Sequence, residues 1–314
     1  VTENMDISSQ ENSTKLSLNP YQGPHGGNSI YRAKLAKIDD LIMMNFHEYN
    51  GPYCQYFQMF DDDLNILGND QGEEVDDSGI DQKYSGLCAV DNSYFLVYSK
   101  SYYGQYFYNI FLQKYNSQGD AQWESPVNLI ESNDGTTDNL VSEIIPNNSN
   151  NGTVVIFQSS NASVGLNLEA FFINDHGEIL NEYILCNDCN YPQYESYAVG
   201  DNEIIITYKS TSSSLASGVY SQVFSFDGNM LGGENGIVIS DEVNDQRSSS
   251  ITYNNSLDEY LVCWNDSRST FTNEEDAIIA DLDVYCSRVT FNNGTFSLNE
   301  IPIGAVPGSP QQNP

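Results

Sequence analysis

The stretch "YLVCWNDSRS" (residues 260–269) runs from an alternating apolar segment through Trp264 into a polar burst that reaches Arg268. It is one of five. Apolar runs ending on an aromatic occur as "DLIMMNF" (40–46), "SYFLVY" (93–98), "NGTVVIF" (151–157), "NEIIITY" (202–208) and "DEYLVCW" (258–264). The closing aromatics Phe46, Tyr98, Phe157, Tyr208 and Trp264 are therefore spaced by 52, 59, 51 and 56 residues. A second segment comes after each, as in "NIFLQKYNSQG" (109–119), "GVYSQVFSFDG" (218–228) and "DVYCSRVTFNNG" (283–294). These three carry an Ile/Val–aromatic pair and end on a turn glycine, Gly119, Gly228 and Gly294. A weaker run closes each unit, "GIVIS" (236–240) being the fourth. A period near 50 residues marks a repeat architecture in which each unit buries its faces against its neighbours.

The units contain blocks of four to seven residues rich in Tyr, Ile, Val, Phe and Thr, bounded by Gly, Asn, Asp and Ser, and no long helical pattern. Each reads as four antiparallel strands. Five such units predict an all-β, five-bladed β-propeller, whose radial repetition leaves only short sheet edges. The propeller is expected over residues 29–303. It is preceded by an extension, 1–28, whose "TKLSLN" has a strand pattern, and followed by a tail, 304–314.

"WNDSR" followed by "DVY" resembles the W-x-D-x-R…D-I-Y-x-Q blades of repeat-type β-propellers in secreted and cell-surface proteins. Trp264, Asp266, Arg268, Asp283 and Tyr285 fit that pattern. Val219, Tyr220 and Gln222 keep its second half in unit four, and Asn109, Ile110, Phe111 and Gln113 keep it in unit two. The resemblance implies the fold and a cell-surface setting and brings no catalytic residues. Arg268 is expected to pair with Asp283 across the hairpin, in a structural role.

The net charge is −33, with 44 acidic residues against 11 basic. Nucleic acid needs a basic footprint, so it is excluded as a partner. No apolar run approaches the roughly 20 residues that span a bilayer, so no membrane insertion is expected. Six cysteines, a start at Val1 rather than Met, and Asn-x-Ser/Thr sequons at Asn12, Asn147, Asn151, Asn161, Asn254, Asn265 and Asn293 point to a secreted glycoprotein made in an oxidising compartment. "CNDC" predicts a tight Cys186–Cys189 disulfide, because it comes after a strand rather than opening a helix. Cys263 and Cys286 lie on two strands of one hairpin and can bridge. Cys54 and Cys88 are left as a pair by elimination, although connectivity cannot be derived from sequence.

Counting back 13 or 14 residues from each closing aromatic gives the innermost-strand positions Arg32, Tyr84, Glu143, Glu195 and Ser250. Arg32 with Glu143 and Glu195 could bind a small polar ligand, or the two glutamates could act as an acid–base pair. The competing reading is a self-neutralising ring of paired charges. Tyr102, Tyr103 and Tyr106 in "SYYGQYFY" suit sugar stacking or an interface, and equally blade-to-blade packing. Asp61, Asp63 and Asn65 have D-x-D-x-N spacing, which can offer oxygens to Ca²⁺ but more simply forms a hairpin turn. No other cofactor is expected. The three histidines are scattered and form no metal cluster.

These features lead to an expectation of a non-enzymatic extracellular subunit of a coat or fibril. It would self-associate through its terminal strands or bind other extracellular proteins and glycans. A carbohydrate-binding propeller is the first alternative and a glycoside hydrolase the second.

Overall fold

The computed structural model describes residues 30–49, 53–69, 72–76, 81–101, 107–130, 137–161, 165–186, 189–211, 217–242, 245–268, 270–272, 278–280, 283–292 and 295–303. The five repeats become five antiparallel sheets in chain order. The first holds β1 (Ile30–Ile38), β2 (Leu41–Tyr49), β3 (Tyr53–Asp61) and β4 (Ile66–Leu67), with β5 (Glu73–Glu74) also on β3. The second is β6 (Asp81–Val90), β7 (Ser93–Ser101), β8 (Asn109–Asn116) and β9 (Val127–Ile130). The third is β10 (Thr137–Asn147), β11 (Gly152–Asn161), β12 (Gly165–Ile173) and β13 (Ile179–Ile184). The fourth is β14 (Asn190–Val199), β15 (Glu203–Thr211), β16 (Ser217–Ser225) and β17 (Ile237–Ser240). The fifth runs β18 (Gln246–Asn254), β19 (Glu259–Asp266), β22 (Asp283–Asn292), β23 (Thr295–Pro302), and a small hairpin of β20 (Thr270–Thr272) and β21 (Ile278–Ala280) is inserted before β22. The fold class is the expected one, all-β with five β-propeller blades. The expected terminal segments, 1–28 and 304–314, lie outside the described residues. The chain divides into two compact units, 1–146 and 147–314.

The aromatic repeat has a packing basis. In four sheets the closing aromatic of the second strand stands opposite the aromatic of the third: Phe46 and Tyr56, Tyr98 and Phe111, Tyr208 and Tyr220, Trp264 and Tyr285. Each pair is stacked, with ring centroids 5.7, 5.8, 5.9 and 6.3 Å apart. Such cross-strand aromatic pairs add to the burial energy of the rings. The third sheet differs: Glu169 stands opposite Phe157, whose ring meets Phe171 edge-on instead. Two residues beyond the aromatic, Gln58, Gln113 and Gln222 are buried. They donate to the carbonyls of Leu67, Trp123 and Gly233, tying the third strand to the segment that leads into the fourth.

The turns after the third strands are equally regular. Asp61, Asn116, Asn174 and Ser225 each accept, through the side chain, the backbone N–H four residues on, at 2.8 to 3.1 Å. The fourth residue of each turn is left-handed: Leu64, Gly119, Gly177 and Gly228. Glycine takes that conformation freely, whereas the Cβ of Leu64 makes it costly. Asp61 places both carboxylate oxygens on Asn65. Those bonds hold its pKa below the usual carboxyl range, and the loop has the geometry of a hairpin turn. Among the described residues no group of three His, Cys, Asp or Glu is arranged to hold a metal ion.

The core of unit 1 includes the fully buried Met43, Tyr94, Leu96 and Tyr98. That of unit 2 includes Ile205, Val219, Val262 and Trp264. Burying each such side chain contributes about 1.5–3 kcal/mol. Cys186–Cys189 and Cys263–Cys286 are disulfides, the latter between directly opposed residues with Cα atoms 4.0 Å apart. The third expected bridge is absent: Cys54 and Cys88 are buried and not disulfide-bonded, and burial pushes the Cys88 thiol well up. Elimination failed because each of these two cysteines serves as a small apolar filler. Among the described residues no helix is long and apolar enough to cross a membrane.

Two sequons are closed by the fold. Asn147 is fully buried, with its amide nitrogen donating to the Phe226 carbonyl at 2.9 Å, and Asn265 is 4% exposed. Neither leaves room for a glycan in the folded chain. Asn151 and Asn254 lie exposed at turns. Asn161 ends β11 with its side chain outside the described residues, where Asn12 and Asn293 also fall.

Candidate active site

The expected innermost positions do fall on the first strand of each sheet: Arg32 on β1, Tyr84 on β6, Glu143 on β10, Glu195 on β14 and Ser250 on β18. Glu143 pairs with Lys34 of β1 at 2.9 Å, and the Arg32 side chain lies outside the described residues. Glu195 accepts the backbone N–H groups of Ser248 at 2.6 Å and Ser249 at 2.7 Å, and also the Ser249 hydroxyl. Ser248 is left-handed, in a bulge of β18. The carboxylate therefore staples an irregular strand, and burial raises its pKa. Each glutamate is committed within its own unit. Tyr102, Tyr103 and Tyr106 lie outside the described residues.

Arg268 also departs from expectation. Its guanidinium binds Asp266 (2.8 and 2.6 Å) and Glu300 (2.9 and 3.0 Å), not Asp283, and lies 4.1 Å from the Tyr285 ring centroid. Asp283 stands opposite Asp266 in the ladder. Trp264 Nε1 donates to Asp266 at 3.0 Å. The guanidinium is held within the fold by partners other than the expected one.

A chemically different cluster lies in unit 1, where β3, β6 and β10 begin and β8 is entered. Asp81 and Lys83 alternate on β6 and so share a face. Lys83 Nζ is 2.7 Å from Asp81 Oδ2 and donates to the Tyr108 hydroxyl at 3.0 Å. Tyr108 in turn donates to Asp81 Oδ2 at 2.9 Å, and the Tyr53 amide donates to Asp81 Oδ1 at 2.9 Å. The Lys83 ammonium sits 4.5 Å above the Tyr53 ring. Tyr108 also reaches β10: its N–H donates to Asp138 Oδ1 at 3.2 Å, and its carbonyl accepts from the fully buried Asn139 side chain at 3.1 Å. Tyr108 thus bridges two carboxylates.

Their environments push them apart. Burial raises Asp81, but hydrogen bonds from Lys83, the Tyr53 amide and Tyr108 outweigh it and hold the carboxyl below its ordinary range. Burial raises Asp138, and the single Tyr108 N–H offsets only part of that. Opposed tuning of two carboxyls is what an acid–base pair needs, and ion-pair networks in a fold also produce such shifts. Sequence reasoning passed over both because the count from the closing aromatics landed mid-strand; Asp81 and Asp138 sit three to five residues earlier, at the strand starts. The usable signal was "DQK" (81–83), an acid and a base alternating at the mouth of a strand.

No protein-family model matches the chain, and neither does any curated protein. Solved structures do. The chain is similar to the Hadza microbial sialidase Hz136, at 10% identity and a TM-score of 0.51, over 88% of this chain and 59% of that one. It is similar to a Trypanosoma rangeli sialidase mutant displaying trans-sialidase activity, at 11% identity and a TM-score of 0.46, over 87% and 54%. It is also similar to the Bacillus subtilis arabinanase Arb43A, at 9% identity and a TM-score of 0.43, over 86% and 98%. The chain spans less than two thirds of the length of the two sialidases. The likeness to Hz136 corrects the expectation of a non-enzymatic protein as far as the fold goes: this is a fold that a sialidase also has. The coat or fibril reading gains no support from it.

Proposed function

We propose that the chain is a glycoside hydrolase in which Asp81 is the ionised carboxylate, acting as nucleophile or base, and Asp138 is the general acid. The observation that carries this reading is the opposed tuning of the two carboxyls around Tyr108. Glycosidic cleavage needs one carboxyl protonated and one ionised at the same pH. Asp138 protonates the leaving oxygen, while Asp81 attacks the anomeric carbon or draws the proton from an attacking water. Lys83 and the Tyr53 amide keep Asp81 charged. The likeness of the fold to a microbial sialidase fits the reaction class without naming the sugar. The two disulfides fit work outside the cell.

The test is release of reducing sugar from a panel of polysaccharides by the wild-type protein and by Asp81→Asn and Asp138→Asn. Activity in the wild type that both variants lose, with unchanged melting, supports the assignment. Activity that survives both substitutions places the chemistry elsewhere.

A further inference from the structure

Four Asn-x-Ser/Thr sequons have both ends among the described residues, and they fall into two kinds. In Asn147-Asn148-Ser149 and Asn265-Asp266-Ser267 the fold encloses the asparagine and uses the hydroxyl two residues on. Asn147 is buried with its Nδ2 on the Phe226 carbonyl, and the Ser149 hydroxyl donates to Asn147 Oδ1 at 3.0 Å. Asn265 is buried, and the Ser267 hydroxyl donates to the Asp245 carbonyl at 2.9 Å and accepts the Asp245 N–H at 2.8 Å. Both hydroxyls are explained by the folded chain.

Asn151-Gly152-Thr153 and Asn254-Asn255-Ser256 are the reverse. Asn151 and Asn254 are exposed, each at the turn between the first and second strands of its sheet. Asn151 has a φ of 55°, a conformation asparagine tolerates. Asn254 Oδ1 accepts the Ser256 N–H at 3.1 Å, which holds that tripeptide in a turn. The fold makes little use of the hydroxyls. Thr153 is fully buried on β11, and its Oγ1 has no hydrogen-bond partner. An unmade buried hydroxyl costs stability, and valine would fill the same space without that cost. The exposed Ser256 hydroxyl makes only a 3.4 Å contact with Asn255 Oδ1. Thr153 therefore carries a group that the folded chain does not need. A transferase that modifies the unfolded chain needs it, because the hydroxyl two residues after the asparagine is half of the acceptor signal.

We infer that Asn151 and Asn254 carry N-linked glycans and that Asn147 and Asn265 do not. In the transfer, Nδ2 attacks the anomeric carbon of an oligosaccharide carried on a polyprenyl diphosphate. The C1–N bond forms, the C1–O bond breaks, the amide proton goes to a base of the transferase, and the lipid diphosphate leaves with the electron pair. A chain modified at Asn147 or Asn265 would have to bury a hydrated oligosaccharide, so it does not reach the folded state. The inference needs the secretory route to which the two disulfides point, and it does not depend on which residues catalyse.

The test is the full chain secreted from cultured eukaryotic cells. The folded protein is treated in ¹⁸O water with the amidase that turns a glycosylated asparagine into aspartate, and its peptides are mapped by mass spectrometry. Labelled aspartate is expected at positions 151 and 254, and unmodified asparagine at 147 and 265. Thr153→Val should lose the label at 151 and melt no lower than Asn151→Asp, which loses the same glycan but keeps the hydroxyl and tolerates the left-handed backbone. Ser267→Ala should melt lower than the wild type with both labels in place. Unmodified asparagine at 151 or 254, a label at 147 or 265, or a chain that is not secreted overturns the inference. Thr153→Val melting below Asn151→Asp would show that the hydroxyl serves the fold, and Ser267→Ala melting like the wild type would remove the contrast; either result also overturns it.

Discussion

The clusters around Arg268 and Lys83 each combine a cation, carboxylates and an aromatic ring, and they differ in how the carboxyls are tuned. Around Arg268, Asp266 is fully buried and receives Trp264 Nε1, the Arg268 backbone N–H and a two-point contact from the guanidinium, which also lies over Tyr285. Every group there stabilises another group of the fold. Around Lys83, Asp81 is just as fully bonded, by the ammonium, the Tyr53 amide and the Tyr108 hydroxyl, and these hold its pKa down, while burial raises that of Asp138, which accepts the Tyr108 N–H. What sets the second cluster apart is the opposed direction in which its two carboxyls are tuned, which acid–base chemistry needs.

The largest effect that tests the contrast is catalytic. Asp138→Asn should lower hydrolysis by about 10²–10⁴-fold, the usual worth of a general acid, with the urea midpoint unchanged. Arg268→Ala should do the reverse. Removing one partner of a buried pair costs several kcal/mol; the bonds that Trp264 and the residue 268 amide keep to Asp266 should hold the loss to about 2–3 kcal/mol, read as a fall in urea midpoint at constant slope, with hydrolysis retained. Equal loss of activity in both variants would erase the distinction.

Lys83→Met sharpens it from the other side. Without the ammonium at 2.7 Å, the Asp81 pKa rises. The acidic limb of kcat/KM, where Asp81 takes up its proton, should move to higher pH. In stability the same group acts as a depressed carboxyl. Its contribution is present above the ordinary aspartate pKa and is lost as pH falls through the lowered folded value, so the wild type should lose more stability than Lys83→Met on acidification. An acidic limb that does not move would mean that Lys83 does not tune Asp81. The smallest effect belongs to the turns: Leu64→Gly, at the position where three other sheets carry glycine, should stabilise by about 0.5–1 kcal/mol. A destabilisation there would show that the leucine side chain contributes more than its backbone strain costs.

The blades were legible in the sequence because their signals are local. A closing aromatic, its cross-strand partner and a turn glycine all lie within one repeat, and alternation fixes which face each occupies. The site was legible only in part. Tyr84 and Glu143 were placed on innermost strands, but the bulges in β1, β6, β14 and β18 shift register, so counting alone does not say which side chains converge. Asp81 meets Tyr53, 28 residues away, across a boundary between sheets, and Tyr108, 27 residues away, at the entry to β8 of its own sheet. No periodicity within one repeat encodes that meeting. Arg268 shows the same limit: its partner Glu300 lies 32 residues on, in the outermost strand.

The central claim is the opposed tuning of Asp81 and Asp138, and the most direct measurement is a carboxyl ¹³C NMR titration of aspartate-labelled protein, assigned with Asp81→Asn and Asp138→Asn. The account predicts one carboxyl titrating above the ordinary aspartate range that disappears in Asp138→Asn, and one below it that disappears in Asp81→Asn. Both carboxyls titrating together near the ordinary value of about 3.9 would contradict it.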